Sequence, residues 1–236
     1  MTGAMDGDVD AATIRIYYES LFLLCESQEE FRTLADKLVD ALPSGGFSPY
    51  IAKVAILCEM NAGAYSTIEQ LNSRSVEMGV DPSAASYLKA RFYFDVSKDA
   101  VKAMEALKPI LAQTSTNVSS NRLEASLLSA QCLMASGKRD KALNELLGAV
   151  KLNPYFAKTF ALMAENLIAM NTQLEKARQC AERARLLQPE SEAIVKSLHS
   201  VYEKLVSEKE RRHEIKVEWI LGCRHRDAVE QCAPIT

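Results

Sequence analysis

The stretch LEASLLSAQCLMASGKRDKALNELLGAVKLNP, residues 123–154, carries the clearest structural pattern in the chain. Two apolar patterns with helical spacing stand on either side of Gly137. The first pattern runs through Leu123, Leu127, Leu128 and Leu133. The second has the spacing i, i+4, i+7, i+8 of one buried helix face, at Ala142, Leu146, Ala149 and Val150. The stretch therefore predicts two amphipathic helices joined by a tight turn.

Prolines show that this unit is repeated along the chain. Four of them follow a short turn-like step, at Pro49, Pro82, Pro154 and Pro189. The intervals are 33, 72 and 35 residues, and the middle one is about twice the others. We therefore expect a further unit start in the polar stretch 113–121. Proline suits the first turn of a helix, where Asp81 and Asn153 are expected as N-caps.

The unit after Pro154 repeats the same plan. Its first helix is predicted from Phe160, Met163, Ala164 and Leu167, and its second from Ala177, Ala181 and Ala184. A period of about 34–36 residues is the length of a helix–turn–helix repeat. Small alanines at this spacing let two helix backbones approach closely.

These residues resemble the tetratricopeptide repeat (TPR). In 123–154 the small position of the first helix is Ala130, and the pattern continues in order through Gly137, Ala142, Leu146, Ala149 and Pro154. Residues 157–189 match through Phe160, Ala164, Leu167, Ala177, Ala181, Ala184 and Pro189, with one extra turn residue. The resemblance implies an all-α fold, a right-handed α-solenoid of antiparallel helix pairs with about 11–13 helices.

The pattern weakens on both sides of these two repeats. In 83–112 we expect Pro109 to interrupt the second helix, and 49–80 keeps only Gly63 and Tyr65. After Pro189 a first-helix pattern remains, at Val195, Leu198, His199 and Tyr202, in which His199 is expected in the core. The expected organisation is a disordered acidic tail at 1–10, one helical repeat domain at 11–221 that ends in a charged cap at 190–221, and a tail at 222–236.

Composition excludes several classes of protein. The 28 Lys and Arg do not exceed the 31 Asp and Glu, which disfavours a basic nucleic-acid binder. Nine glycines and seven prolines are too few for a barrel, a sandwich or a Gly-rich phosphate-binding fold. The first ten residues have no signal pattern, no segment has the apolar length of a membrane span, and the six cysteines read as reduced thiols. We expect a cytoplasmic or nuclear protein.

No catalytic or metal-binding constellation appears in the sequence. The three histidines stand apart, and nucleophile-elbow, P-loop and zinc-protease motifs are missing. Cys223, His225 and Cys232 are close together but lack a fourth ligand and a standard spacing. We therefore expect no enzyme activity, no cofactor and no bound metal.

The resemblance implies a scaffold or adaptor that binds a partner protein in a groove lined by the first helices. In TPR cochaperones Lys, Asn and Arg clamp a carboxylate, but the matching places here carry Glu124, Leu127, Leu128 and Gln131, then Lys158, Ala161, Leu162 and Glu165. The expected partner-binding residues are Leu127, Gln131, Met134, Lys158, Glu165, Lys196 and Trp219. Expected partners are proteins or peptides of a multi-subunit complex, without membrane insertion or nucleic acid.

Two questions stay open at this level. Ile215, Val217, Trp219 and Ile220 either pack on the last repeat or form an exposed anchor for self-association or a partner. An RNA-binding helical-repeat protein is the alternative function, and it predicts binding that falls steeply with salt.

Overall fold

The computed structural model describes residues 17–40 apart from 19, 23 and 26, residues 49–112, and residues 120–209 apart from 172, 190, 192 and 193. Every regular element in these ranges is an α-helix, and there are eleven of them, as the TPR resemblance implies. The predicted tails at 1–10 and 222–236 and the end of the cap at 210–221 lie outside the described residues.

The helices follow one another through short turns. The first, α1, lies within 17–24, of which 19 and 23 are outside the described residues, and the last described helix, α11, lies at 194–209. Between them lie α2 (Gln28–Asp40), α3 (Pro49–Asn61), α4 (Ile68–Glu77), α5 (Pro82–Asp95), α6 (Ala100–Leu111), α7 (Ser120–Ala135), α8 (Arg139–Leu152), α9 (Ala157–Met170) and α10 (Leu174–Leu187). Thus α7 begins inside the polar stretch where a further unit was expected.

The helices form two compact units, one up to Gly137 and one from Lys138. In unit 1, α5 packs against α6 and also against α3 and α7. Its core is mainly aliphatic, with fully buried side chains at Leu38, Ile56, Leu88, Leu107 and Leu128. The first helices α3, α5 and α7 are thus central in this unit.

Unit 2 is built around α9, which packs against α8 and α10. Its core joins Ala164 and Leu167 of α9 to Ala177 and Ala181 of α10, and Leu198 and Val201 of α11 complete it. A polar contact adds to the packing, because the buried Asn166 amide donates to the Arg139 carbonyl at the start of α8, over 2.9 Å. The small residues of the repeat pattern are therefore the contact surface between helices.

Local chemistry sets the helix starts. The Asp81 carboxylate accepts hydrogen bonds from the backbone N–H groups of Ser83 and Ala84, at 2.9 and 3.0 Å, so it caps α5 as predicted. Before α4, Thr67 and Gln70 form a reciprocal capping box. Ahead of it, the turn between α3 and α4 is held by Glu59, which accepts from the Tyr65 hydroxyl and pairs with Arg74.

The expectation that Pro109 interrupts the second helix of its unit was wrong. Helix α6 runs from Ala100 to Leu111 and contains Pro109 in its last turn. A proline removes one backbone donor and crowds the preceding turn. Here the helix continues for only two residues beyond it, while Leu107 and Ile110 on either side are fully buried and hold the last turn in place.

Two further local expectations were also wrong. Asn153 ends α8 instead of starting a helix, and its side-chain oxygen accepts from the Tyr155 backbone N–H at 2.9 Å. Helix α9 begins only at Ala157. His199, expected in the core, keeps 75% of its side chain exposed and lies 3.2 Å from the Glu203 carboxylate, one turn further along α11.

No helix of the described ranges combines the length and the apolar character that crossing a bilayer requires.

Two glycines offer a matched test of the turn that follows α7. Gly137 has φ +73°, and an added Cβ would meet no atom within 4 Å. Only the left-handed backbone conformation therefore opposes Gly137→Ala, and we expect the substitution to lower the free energy of unfolding by about 1–2 kcal/mol. Gly148 lies inside α8 with equally open space, so Gly148→Ala should stabilise by about 1 kcal/mol. Urea midpoints should move in opposite directions; a shift of the same sign in both variants contradicts this account.

The cysteines should differ in reactivity. Burial raises the pKa of the Cys58 thiol to about 12 and that of Cys132 to about 11, and both side chains are fully buried. Because the thiolate is the nucleophile, both should resist iodoacetamide at pH 8 in the folded protein. Half-buried Cys25 and Cys180 should react first, and all four should react equally in urea. Peptide mass spectrometry reads each site, and early labelling of Cys58 would refute the assignment.

A candidate partner-binding surface on the first helices

The first helices of the pairs are much more buried than the second helices. On α9 only Lys158, Glu165 and Ala169 are exposed, and their spacing of i, i+7 and i+11 places them on one face. The second helix α10 exposes six residues, Glu175, Lys176, Gln179, Arg183, Arg185 and Leu186. Each unit therefore has an inner layer of first helices with only a narrow accessible stripe.

In unit 1 the corresponding stripe is half-buried and polar. We call it the unit 1 inner surface, and it consists of Arg91 and Asp95 on α5 and Glu124, Gln131 and Met134 on α7. The Arg91 guanidinium lies 2.7 Å from the Asp95 carboxylate, one helical turn away. The charges of Arg91 and Asp95 therefore neutralise each other.

A buried lysine lies beside this surface. Lys53 of α3 is only 2% exposed, and its ammonium group donates to the Asn121 side-chain oxygen at 2.9 Å and pairs with Glu124, both on α7. The same ammonium lies 4.8 Å from the centre of the Tyr87 ring on α5, a cation–π distance. One side chain thus joins three first helices near their N-terminal ends.

The neighbours of Lys53 are themselves held in place. The Asn121 amide donates to the Ser83 hydroxyl of α5 over 3.4 Å. Burial raises the pKa of the Tyr87 hydroxyl well above its usual value, and the negative charge of Glu124 raises it further, so Tyr87 is neutral at physiological pH. The cluster contains one cation and one anion and presents no net charge to a partner.

The structure places the predicted site residues in separate groups. Gln131 and Met134 lie half-buried on α7, but Leu127 on the same helix keeps only 4% of its surface, so a partner would reach little of it. On α9, Lys158 and Glu165 share the exposed stripe. Lys196 is exposed near the start of α11, and Trp219 lies outside the described residues.

Sequence reasoning missed Lys53, Tyr87 and Asn121. A signal was present, because Lys53 is the single charged residue in the apolar run YIAKVAILC, residues 50–58. A lysine in such a run is buried only when it is paired. The pattern could have indicated a buried ion pair, but Glu124 stands 71 residues further along the chain, which no local pattern reveals.

Among the residues that the structure describes, no three His, Cys, Asp or Glu side chains come together as metal ligands would. The arrangement on the first helices offers hydrogen bonds, paired charges and apolar contact, which are the means of binding a polypeptide.

Comparison with models of protein families gave no match, and comparison with curated proteins gave none either. Among solved structures the chain is similar to PilW, a widely conserved type IV pilus biogenesis factor, with 14% identity over 84% of this chain and 93% of that chain and a TM-score of 0.54. The chain has a TPR-like fold.

Two further structures are similar to this TPR-like chain at lower TM-scores. The first TPR domain of human RPAP3 is 19% identical over 55% of this chain and 98% of that chain, with a TM-score of 0.49. YrrB, a TPR protein with an unusual peptide-binding site, is 16% identical over 80% of this chain and 91% of that chain, with a TM-score of 0.47.

The lysine cluster of this TPR-like fold can be tested by removing its anion. Glu124→Gln leaves the Lys53 charge buried without its counter-ion, so we expect the free energy of unfolding to fall by about 3 kcal/mol. This value is the low end for a broken buried ion pair, because a third of the Glu124 side chain is exposed. Adding Lys53→Met removes the unpaired charge and should restore most of the loss.

Glu105→Gln, on the exposed face of α6, is the matched control and should change stability little. Urea denaturation of the four proteins measures these differences. Equal stability of the Glu124→Gln variant and the unchanged chain would show that the ion pair does not hold Lys53 in place.

Proposed function

We propose that this chain is a non-catalytic scaffold or adaptor subunit that binds a partner protein on the inner layer of its first helices. The observation that carries the proposal is the difference between the two layers. The second helices are exposed along broad charged faces, whereas the first helices offer narrow stripes that combine polar and apolar groups, Gln131 and Met134 in unit 1 and Lys158 and Glu165 in unit 2. In each unit a partner segment would contact the side chains of that unit's own stripe, and in unit 2 the exposed Lys196 would add a further contact.

The charge arrangement favours a polypeptide over RNA. An RNA-binding face needs cations that reach phosphates, and each neutralised phosphate adds to a steep salt dependence. On the unit 1 inner surface Arg91 pairs with Asp95, and beneath it Lys53 pairs with Glu124. Because these cations are already paired, the surface supports recognition by shape and hydrogen bonds, with little dependence on salt.

The free cysteines support a location in the cytoplasm or the nucleus. The four described cysteines are unpaired thiols, and two of them are fully buried. Reduced thiols in a helical scaffold fit the cytoplasm or the nucleus, where disulfides are rare. A larger assembly in either compartment would supply the partner.

The test is affinity capture of the tagged full chain from its native lysate at about 0.15 M and about 0.5 M salt, followed by mass spectrometry. We compare the unchanged chain with a charge swap on the α9 stripe, Lys158→Glu with Glu165→Lys, which leaves the net charge the same. The matched control is Glu105→Lys with Lys108→Glu on the exposed face of α6.

We expect stoichiometric protein partners that persist at both salt concentrations, that are lost with the α9 swap and that are kept with the α6 swap. Partners that are indifferent to the α9 swap would contradict the proposed surface. Capture that vanishes at high salt and after nuclease treatment would instead support the RNA-binding alternative.

A further inference from the structure

The second helices of unit 2 carry exposed cations on their outer faces. Residues at the spacing i, i+3, i+7 and i+10 lie on one side of a helix. On α8 these residues are Lys141, Asn144, Gly148 and Lys151, and on α10 they are Lys176, Gln179, Arg183 and Leu186. All eight residues are exposed, and we call the two sets the α8 outer face and the α10 outer face.

The two faces occupy equivalent positions of successive repeats. An offset of 35 residues, the spacing of Pro154 and Pro189, relates Lys141 to Lys176 and Asn144 to Gln179. The same offset relates the buried residues of the two helices, Ala142, Leu146 and Ala149 on α8 and Ala177, Ala181 and Ala184 on α10. Both helices pack on α9. Unit 2 therefore presents the same combination twice, two cations together with a side-chain amide.

The cations on the α10 outer face have no carboxylate partner among the residues that the structure describes. Both acids of α10, Glu175 and Glu182, pair with Arg178. Glu182 also accepts a hydrogen bond from the Tyr202 hydroxyl of α11, at 2.6 Å. The charges of Lys176 and Arg183 are therefore left for a ligand from outside.

Helix stability does not account for the lysine that begins each face. Lys141 and Lys176 are each the third residue of their helix. The positive end of the helix dipole disfavours a cation in this first turn. The same unfavourable choice in two successive repeats is typical of a functional surface, where local rules of stability are broken.

The corresponding face of α6 in unit 1 is balanced in charge. An offset of 39 residues superimposes its buried positions on those of α8, Ala103, Leu107 and Ile110 on Ala142, Leu146 and Ala149. Its Lys102, the counterpart of Lys141, pairs with Asp99 over 3.3 Å. Glu105 takes the place of the amide Asn144. Unpaired cations beside an amide are thus a property of the unit 2 faces and not of this repeat position in general.

We propose that the α8 and α10 outer faces bind an acidic segment of a partner protein, one that carries large apolar residues beside its carboxylates. The surface lies on the second helices and goes beyond the partner binding proposed for the first helices. Lys176 and Arg183 are about 10 Å apart along the helix axis, so two carboxylates of one segment can meet them. The amides between the cations can donate hydrogen bonds to the same segment.

Exposed leucines next to the cations supply the apolar part of this surface. Leu186 is 76% exposed and lies one turn from Arg183, and Leu147 is 45% exposed and lies one turn from Lys151. Each helix thus offers a leucine and a cation side by side, which matches an acidic segment that contains apolar residues.

Two other anionic ligands fit these faces less well. Single-stranded RNA is bound by aromatic side chains on which the bases stack, and neither face contains an aromatic residue. Anionic membranes are bound by clusters of about four to eight cations in one segment, whereas each face has two. Charge, amides and leucines together favour a polypeptide.

Replacing the two amides by their acids tests the proposal with little change of shape. Asn144→Asp with Gln179→Glu gives both faces the carboxylate that α6 has at Glu105, so it should repel an acidic segment. The matched control is Asn72→Asp with Gln28→Glu, at exposed positions of α4 and α2 in unit 1. Both pairs lower the net charge by the same amount.

The probe is a short fluorescent peptide of Asp, Glu and Leu, compared with a peptide that has Asn and Gln in place of the acids. Fluorescence anisotropy with the full chain measures the dissociation constants at about 0.05 M and about 0.3 M salt. We expect saturable binding of the acidic peptide alone, weaker at the higher salt concentration. The amide-to-acid pair should weaken it several-fold and the control pair should not. Leu186→Ser should also weaken it, without changing the circular dichroism.

Three results would overturn the proposal. Absence of saturable binding means that the faces do not recognise acidic polypeptides. Equal binding by the amide-to-acid pair and its control places the peptide on another surface. Tighter binding of a uridine oligonucleotide or of phosphatidylserine vesicles, with the same dependence on the two amides, assigns the faces to RNA or to a membrane. Because these variants keep Lys158 and Glu165, failure here is distinguishable from failure of the partner binding proposed for α9.

Discussion

Close contact between small residues holds each helix pair together and positions the helices packed beside it. Ala164 on α9 lies against Ala177 and Ala181 on α10, and all three are fully buried. Because these three side chains are methyl groups, a larger side chain at one of the positions would overpack the contact, which in a core typically costs about 1–3 kcal/mol. Since α9 also packs on α8, the spacing within one pair sets the position of its neighbours.

Within each unit this packing separates strongly buried first helices from more exposed second helices. Helices α3, α5, α7 and α9 are each enclosed on most of their circumference, so few side chains remain accessible on them. Lys53 is the extreme case, because it is almost fully buried and yet charged. Its burial carries a desolvation cost that Glu124, Asn121 and the Tyr87 ring offset, so the cluster fixes how α3, α5 and α7 meet more than it adds net stability.

The sequence contained the information for the helix pairs because their signals are local. Gly137 sits in a left-handed turn, and alanines at helical spacing meet within one pair, so a window of 32 residues was enough to predict the unit. Lys53 could not be predicted in this way, because its partners stand 68 and 71 residues away. The prediction that His199 is buried was wrong for a related reason. An apolar pattern identifies one face of a helix, but that face is buried only where another element covers it.

The order of the charges on α9 bears on how the proposed partner would be selected. Lys158 and Glu165 lie seven residues apart on α9, about 10 Å along the helix axis. A segment in the polyproline II conformation rises about 3.1 Å per residue with three residues per turn, so two of its side chains three positions apart lie on one face and span about 9 Å. Because the two charges have opposite sign, a segment in the reverse direction would place like charges together. A surface without net charge can therefore still fix the direction in which a partner chain runs, through the order of its charges.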